Sequence, residues 1–163
     1  MGGGILPVAR HNGQIYLLFS RERIAHNRHR DKGKWSDFGG SKEKNETQYQ
    51  TAVREGFEES NGILGSKKDV RNLVKYHLMG EIKDPQYSIW MVEVEYDTNI
   101  VHIFHDNFEK ALKHQETIVK TNNGLFEKDK LIWIKLSQLK RKSHIFRQWY
   151  KRFIPLIINL LNN

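Results

Sequence analysis

The 163-residue chain contains no cysteine, which excludes a disulfide framework, thiolate catalysis and a zinc-thiolate site, so its chemistry need not depend on redox compartment. It also lacks a long apolar run: the richest stretch, Phe153 to Leu161, falls far short of the roughly 20 residues that a membrane-spanning helix needs. The opening MGGGILPVARHNG has none of the basic-then-apolar order of a secretory leader. Acidic residues are in deficit, 19 against 27 lysines and arginines, and the resulting formal charge of +8 favours polyanionic partners such as nucleotides, nucleic acid or acidic membrane surfaces. With 38% hydrophobic residues the chain can bury one core, so a single domain over residues 1–163 and a soluble, cytoplasmic protein are the expectations.

The apolar runs Ile5 to Ala9 and Ile15 to Phe19 flank His11-Asn12-Gly13-Gln14, and Asn-Gly accepts the positive backbone angles of a tight turn, so the chain is expected to open with a β-hairpin. Arg21 to Lys34, RERIAHNRHRDKGK, is nearly devoid of apolar residues and reads as an exposed basic loop. Trp35 and Phe38 resume burial before Gly39-Gly40, where a backbone turn closed to residues with a β-carbon is expected. From Thr47 the pattern becomes helical, with Thr47 and Gln50 able to form a capping box. Tyr49, Ala52, Val53, Gly56 and Phe57 share one face, Arg54, Glu55, Glu58 and Glu59 the other, and Asn61-Gly62 ends the helix.

Farther along, Leu73 to Ile82 and Tyr87 to Tyr96 read as antiparallel strands around a Lys83-Asp84-Pro85-Gln86 turn. Phe104 to Lys120 reads as a helix with Phe108, Leu112 and Val119 inward, broken by Asn122-Asn123-Gly124. Leu131 to Leu136 is a further strand, and Ser143 to Leu161 an amphipathic helix interrupted near Pro155.

Successive helical residues turn by about 100°, so Glu55, Glu58 and Glu59 occupy one narrow sector. Three carboxylates so close repel unless a cation neutralises them, and Mg²⁺, a hard ion that prefers oxygen, is a natural candidate. For an isolated R-E-x-x-E-E, an acidic surface face balanced by Arg54 and nearby lysines is the alternative.

The wider spacing sharpens the choice. Gly40, five residues, Glu46, seven residues and Arg54-Glu55-Gly56-Phe57-Glu58-Glu59 together resemble the signature of the Nudix hydrolase family, G-x5-E-x7-R-E-U-x-E-E-x-G-U with U aliphatic. Six fixed identities at fixed spacing would arise by chance on the order of once in 10⁵ chains of this length. The sequence departs from the signature twice: Gly56 stands at an aliphatic position, and Ser60-Asn61 places one residue more than expected before Gly62-Ile63.

The resemblance implies an α/β/α sandwich with a mixed sheet and a loop-helix-loop motif, and a Mg²⁺- or Mn²⁺-dependent pyrophosphohydrolase. It implies that Glu55, Glu58 and Glu59 bind divalent metal together with the backbone carbonyl of Gly40, and that Arg54 and Glu46 support them. Glu58, Glu127 and Arg54 are the residues expected to serve catalysis. The general base is sought on the signature helix or outside it, at Glu93, Glu95 or, preferred here, Glu127, which lies six residues before Trp133 much as a downstream glutamate does in Nudix enzymes that remove RNA caps.

Substrate contacts are expected from the basic loop, which carries Arg21, Arg23, Arg28, Arg30, Lys32 and Lys34, and from Lys42 and Lys44; Lys140, Arg141 and Lys142 would extend the track if RNA binds. Ordinary solubilising charge is the alternative. Trp35, Phe38, Tyr87 and Trp90 are candidates for stacking on a base, or simply core residues. His26-x2-His29 and His102-x2-His105 are read as exposed histidines rather than metal ligands, and the final helix as packed on the sheet rather than on a membrane. The expected substrate is a nucleoside diphosphate linked to another group, with capped RNA or another nucleotide-ended polyanion favoured. Free nucleoside triphosphates, dinucleotides, diphosphoinositol phosphates and a non-catalytic nucleotide- or RNA-binding module are the alternatives.

Overall fold

A computed structural model describes residues 1–23, 31–114 and 126–163. Gly2–His11 (β1) and Gln14–Glu22 (β2) form the expected hairpin, turning through Asn12 and Gly13, both at positive φ. Trp35–Ser36 (β3), Phe38–Ser41 (β4), Leu78–Ile82 (β5), Tyr87–Glu93 (β6) and Lys128–Lys135 (β7) complete a seven-stranded mixed sheet, with the path β3-β2-β1-β6-β5 and with β4 on β1 and β7 on β2. β1 lies at its centre, antiparallel to β2 and β4 and parallel to β6.

Side chains alternate across a strand, and here the alternation divides the core in two. Leu6, Val8, Leu17, Phe19, Ile89 and Met91 face one way, where they meet Leu139, Phe146, Tyr150, Phe153 and Ile157 of the C-terminal segment. Ile5, Leu18, Phe38, Trp90 and Val92 face the other way, against Gln48–Glu59 (α1), Lys67–Tyr76 (α2) and Asn99–His114 (α3). The result is the α/β/α sandwich expected from the resemblance. Leu136–Leu139 (α4) and Ile154–Asn162 (α5) bring the described helices to five, with 3-10 turns at Ser143–Ile145 and Tyr150–Phe153. None of the described helices is long and apolar enough to cross a membrane.

Several expected boundaries shift for local reasons. Leu73 to Tyr76 belong to α2 and not to a strand, because Ser66 and Asp69 form a capping box that starts a helix at Lys67. β6 ends at Glu93, short of Tyr96, and α3 begins at Asn99, upstream of Phe104. β7 starts at Lys128, and Leu136 leaves the strand to open α4. The tail is no continuous helix from Ser143: Pro155 sits in the first turn of α5, where its missing N–H costs nothing, so it starts a helix and does not interrupt one. Leu112 is exposed, whereas Phe108 is buried. Expectations for Arg28, Arg30, His26, His29, Val119 and Asn122-Asn123-Gly124 lie outside the described residues.

Gly39-Gly40 differ more instructively. They do not turn; they run straight through β4, opposite Gly4 and Gly3 of β1. Bare backbone is needed there for close approach: a Cβ on Gly39 would stand 1.9 Å from the Tyr87 hydroxyl, and one on Gly40 would stand 2.4 Å from Glu55 Oε1.

Candidate active site

α1 begins as its sequence dictates. Thr47 accepts from the Gln50 N–H at 3.1 Å while the Gln50 side chain accepts from the Thr47 N–H at 2.8 Å. About one turn beyond Gln50, Arg54 becomes a hub. Its Nε and Nη2 grip Glu46 at 2.9 and 3.1 Å, Nη1 reaches Glu55 at 2.9 Å and Glu58 at 3.1 Å, and Nη2 also donates to the Ser41 carbonyl at 3.0 Å. These five bonds use all five guanidinium donors. Arg54 therefore ties the loop after β4 to the helix, and it holds the Glu46 carboxyl down at about 2, chiefly by those hydrogen bonds.

The carboxylates are less exposed than an outer helix face would make them. Glu55 and Glu59 are buried, with Glu59 only 3% exposed, while Tyr49 on the supposed inner face is 37% exposed. Burial pushes the Glu55 carboxyl up to about 7 against the pull of Arg54, and the charges of Glu58 and Glu127 add to the rise. Glu59 is raised well above the usual range by burial, opposed by Lys128. Its two oxygens have partners: Oε2 accepts from the Gly39 N–H at 2.8 Å, and Oε1 lies 3.2 Å from Lys128 Nζ.

That contact also orients β4. In an antiparallel pair successive residues point their backbone groups alternately toward and away from the partner strand. Gly39 turns its N–H to Glu59, so its carbonyl faces the same open side. The Gly40 carbonyl faces β1 instead, 2.2 Å from where a Cβ on Gly2 would stand. The carbonyl offered to the carboxylate side is therefore that of Gly39, a correction to the expectation for Gly40.

Beyond the same glycines lies a cavity of about 340 Å³, lined by Gly39, Gly40, Tyr87, Arg147, Trp149 and Arg152 among others. Half-buried Trp149 packs edge-on against Tyr87, with ring centroids 4.8 Å apart, and the Arg147 guanidinium lies 5.2 Å from the Trp149 ring centre. Under this wall Tyr87 donates to Asp37 Oδ1 at 2.9 Å, while Asp37 Oδ2 is buried without a hydrogen-bond partner among the described residues; burial raises the Asp37 carboxyl to about 7 against the Tyr87 hydrogen bond and the nearby Lys128 and Arg147 charges. A family model described as NUDIX domain matches residues 3–157.

The chain belongs to the Nudix family. As a Nudix hydrolase it is a pyrophosphohydrolase, and enzymes of this family generally use divalent metal ions. Solved structures agree on the fold. A C. elegans Ap4A hydrolase binary complex aligns over 99% of this chain and 98% of its own, with TM-score 0.56 and 12% identity. The NUDIX domain of Shewanella oneidensis NrtR complexed with ADP ribose covers 98% of this chain and 86% of its own, at TM-score 0.52 and 12% identity. A MutT protein from Methanosarcina mazei Go1 covers 99% and 94%, at 0.50 and 12%. Comparison with curated protein sequences gives no match.

The donor set of this Nudix site suits a hard divalent ion. Glu55, Glu58 and the Gly39 carbonyl are all oxygen donors, and the space a Cβ on Gly40 would take is filled by the Glu55 carboxylate. Among the described residues no three acidic or histidine side chains are already gathered at ligand distance; Arg54 contacts Glu55 and Glu58, and Lys128 contacts Glu59.

The remaining candidates separate. Glu127 is half-buried and close enough to raise both Glu55 and Glu59, and its carbonyl accepts from the Arg23 N–H at 3.0 Å. Glu93 and Glu95 line a different cavity of about 820 Å³ with His77 and Asp97. Arg21 is committed to Asp129 by two bonds of 2.7 and 2.9 Å and lies 6.0 Å from the ring centre of half-buried Trp35. Lys34 donates to the His144 carbonyl at 3.3 Å, and Lys42 follows β4 with its backbone N–H on the Met1 carbonyl. Phe38 is fully buried beneath α1, so it has no free face for a base and is corrected to a core residue; Tyr87 and Trp90 are also largely buried. His105 bonds the Asp129 carbonyl at 3.2 Å. Asp37, Lys128, Arg147, Trp149 and Arg152 escaped the sequence reading, since each acquires its place through partners distant in the chain.

Proposed function

We infer that this Nudix hydrolase cleaves the pyrophosphate linkage of a nucleoside diphosphate joined to another group, with Mg²⁺ or Mn²⁺, and that its substrate is capped RNA or another nucleotide-ended polyanion. One observation carries the reading: the bare strand Gly39-Gly40 has the α1 carboxylates on one side and a cavity walled by Trp149, Arg147 and Arg152 on the other. A diphosphate spanning the strand would have its charge beside the carboxylate site and its base against Trp149.

Glu55, Glu58 and the Gly39 carbonyl would hold the divalent ion, whose chemistry when bound would be Lewis acidity toward water and charge neutralisation of the diphosphate. The protein does the rest. Arg54 fixes Glu55 and Glu58 relative to the Ser41 loop and has no donor left for a phosphate, so it positions and does not touch the reacting atoms. Glu127 stands beside the carboxylates to take the proton of the attacking water. Trp149 offers a ring for stacking, and exposed Arg152 offers charge. Lys140 and Arg141 are exposed close in sequence to His144, whose carbonyl bonds Lys34, and they add positive charge to the surface. This charge supports the preference for RNA.

The test is hydrolysis by purified protein with Mg²⁺ or Mn²⁺ across capped RNA, free cap dinucleotide, dinucleoside polyphosphates, nucleoside triphosphates and diphosphoinositol phosphates. Capped RNA should be cleaved fastest, with an affinity that falls steeply with salt. Equal efficiency on the free cap dinucleotide would remove RNA from the reading. No hydrolysis of any substrate, with metal-independent binding, would make the chain a nucleotide-binding module instead.

A further inference from the structure

Among the described residues, the most buried cation lies beside the carboxylate site. Lys128, on β7, has no exposed surface, yet its ammonium contacts Glu59 Oε1 at 3.2 Å and Glu22 Oε1 more closely still. Glu22 Oε1 also accepts from Arg147 Nη1 at 2.9 Å, and Arg147 Nε bonds Asp31 at 3.0 Å. The charges alternate, Glu59, Lys128, Glu22, Arg147, Asp31, and the chain of contacts joins α1 to the wall of the cavity without passing through solvent-exposed groups.

We propose that the Lys128 ammonium is a resident cation which stands where a second metal ion would otherwise sit, so that Glu59 braces β4 and is not a metal ligand, and the enzyme holds one divalent ion on Glu55, Glu58 and the Gly39 carbonyl. Glu59 has one oxygen on the Gly39 N–H and the other on Lys128. A divalent ion brought to the same carboxylate would face a fixed ammonium across a buried, weakly screened gap. Glu55 and Glu58 differ: Arg54 Nη1 takes one oxygen of each and draws them together from the loop side, with no ammonium between them among the described residues. Glu59 and Lys128 are thus positioning residues, setting the backbone whose carbonyl completes the ion site.

The inference rests on the divalent-ion reading above, and direct Mn²⁺ binding followed by electron paramagnetic resonance separates the two. Wild-type protein should bind one Mn²⁺ per chain. Glu58→Gln should weaken that binding at least tenfold, whereas Glu59→Gln should change it less than threefold. Lys128→Met, nearly equal in volume, should take the ammonium away from Glu59 Oε1 and admit a second Mn²⁺ there. Two ions on the wild type, a loss in Glu59→Gln equal to that in Glu58→Gln, or a folded Lys128→Met chain that still binds one ion would each overturn the resident-cation assignment while leaving the metal reading intact. If Lys128→Met does not fold, the Glu59→Gln comparison decides. No binding to the wild type at millimolar Mn²⁺ would overturn the metal reading itself.

Discussion

Replacing Gly56 with leucine, the aliphatic type that the Nudix signature carries there, should destabilise this chain. Restoring a family-typical residue usually stabilises, and leaving glycine should itself return about 1 kcal/mol of helix propensity. The space decides otherwise. Gly56 is buried on α1, and a Cβ there would stand 2.8 Å from Ile5 Cγ1 and 3.4 Å from Val70 Cγ1. Ile5 cannot retreat, because β1 is pinned at that residue by Phe38 on one side and Trp90 on the other. Overpacking a filled core by a few carbons costs about 1–3 kcal/mol. Alanine should therefore lose roughly 1 kcal/mol net and leucine about 3 kcal/mol or more, since only its first carbon is answered by the propensity gain. At roughly 2–4 °C per kcal/mol for a chain of this size, the leucine variant should melt about 6–12 °C lower in a thermal scan followed by circular dichroism. Ile5→Ala, itself costly, should partly accommodate the leucine, so the double mutant should be more stable than the sum of the single effects by over about 1 kcal/mol. A Gly56→Leu protein as stable as the wild type would refute the argument from contact distance.

Arg54→Ala leaves Glu46, Glu55 and Glu58 without their shared cation; with Arg54 14% exposed and Glu46 and Glu58 18% exposed, the loss falls between surface and buried pairs, about 3 kcal/mol by urea unfolding, and Arg54→Lys, with fewer donors, should recover only part. Asp37 gives a pH signature. Burial raises its carboxyl from the ordinary 3.8 to about 7, so between those limits the folded chain keeps a proton that the unfolded chain has released, and stability falls as pH rises through that window. The fall is on the order of 4 kcal/mol for this group, and Asp37→Asn should flatten that part of the stability profile. Phe38→Ala should lower the melting temperature by the equivalent of about 3–5 kcal/mol, whereas Trp149→Ala should chiefly raise KM; the opposite pattern in steady-state kinetics and melting would restore Phe38 as a substrate contact. Glu58→Gln and chelation by EDTA should each reduce turnover at least about a hundredfold, with the fold preserved by circular dichroism.

What was legible in the sequence was local. The Asn12-Gly13 turn and the Thr47/Gln50 capping box each close within a few residues and form as read. The grouping of Arg54 with Glu46, Glu55 and Glu58 was legible too, because one loop and one helix bring them together. What was missed depends on long-range partners. Lys128 is adjacent to Glu22 only because β7 and β2 pair across a register shift near Arg21, and no neighbour in sequence marks it as buried. Gly39-Gly40 read as a turn because two glycines permit one; their extended course is fixed by Gly3, Gly4 and the Tyr87 hydroxyl, residues far away in the chain. α2 was taken in part for a strand because Leu73 and Val74 suit either period, and the Ser66/Asp69 box settles it.

The central place of β1 bears on how the protein is made. Its partner β2 is synthesised next, and such a hairpin closes within about 1–10 μs. Its parallel partner β6 begins at Tyr87, opposite Gly2 and some 85 residues later, which at roughly 5–20 residues per second is a wait of about 4–17 s. Through that interval one edge of the glycine-rich strand stays open on the ribosome, a template for pairing with other chains. The strand on which β4 and its bare glycines are paired in the finished fold is thus one exposed to mispairing during synthesis, and slower, cooler expression should raise soluble yield most where β6 is weakened.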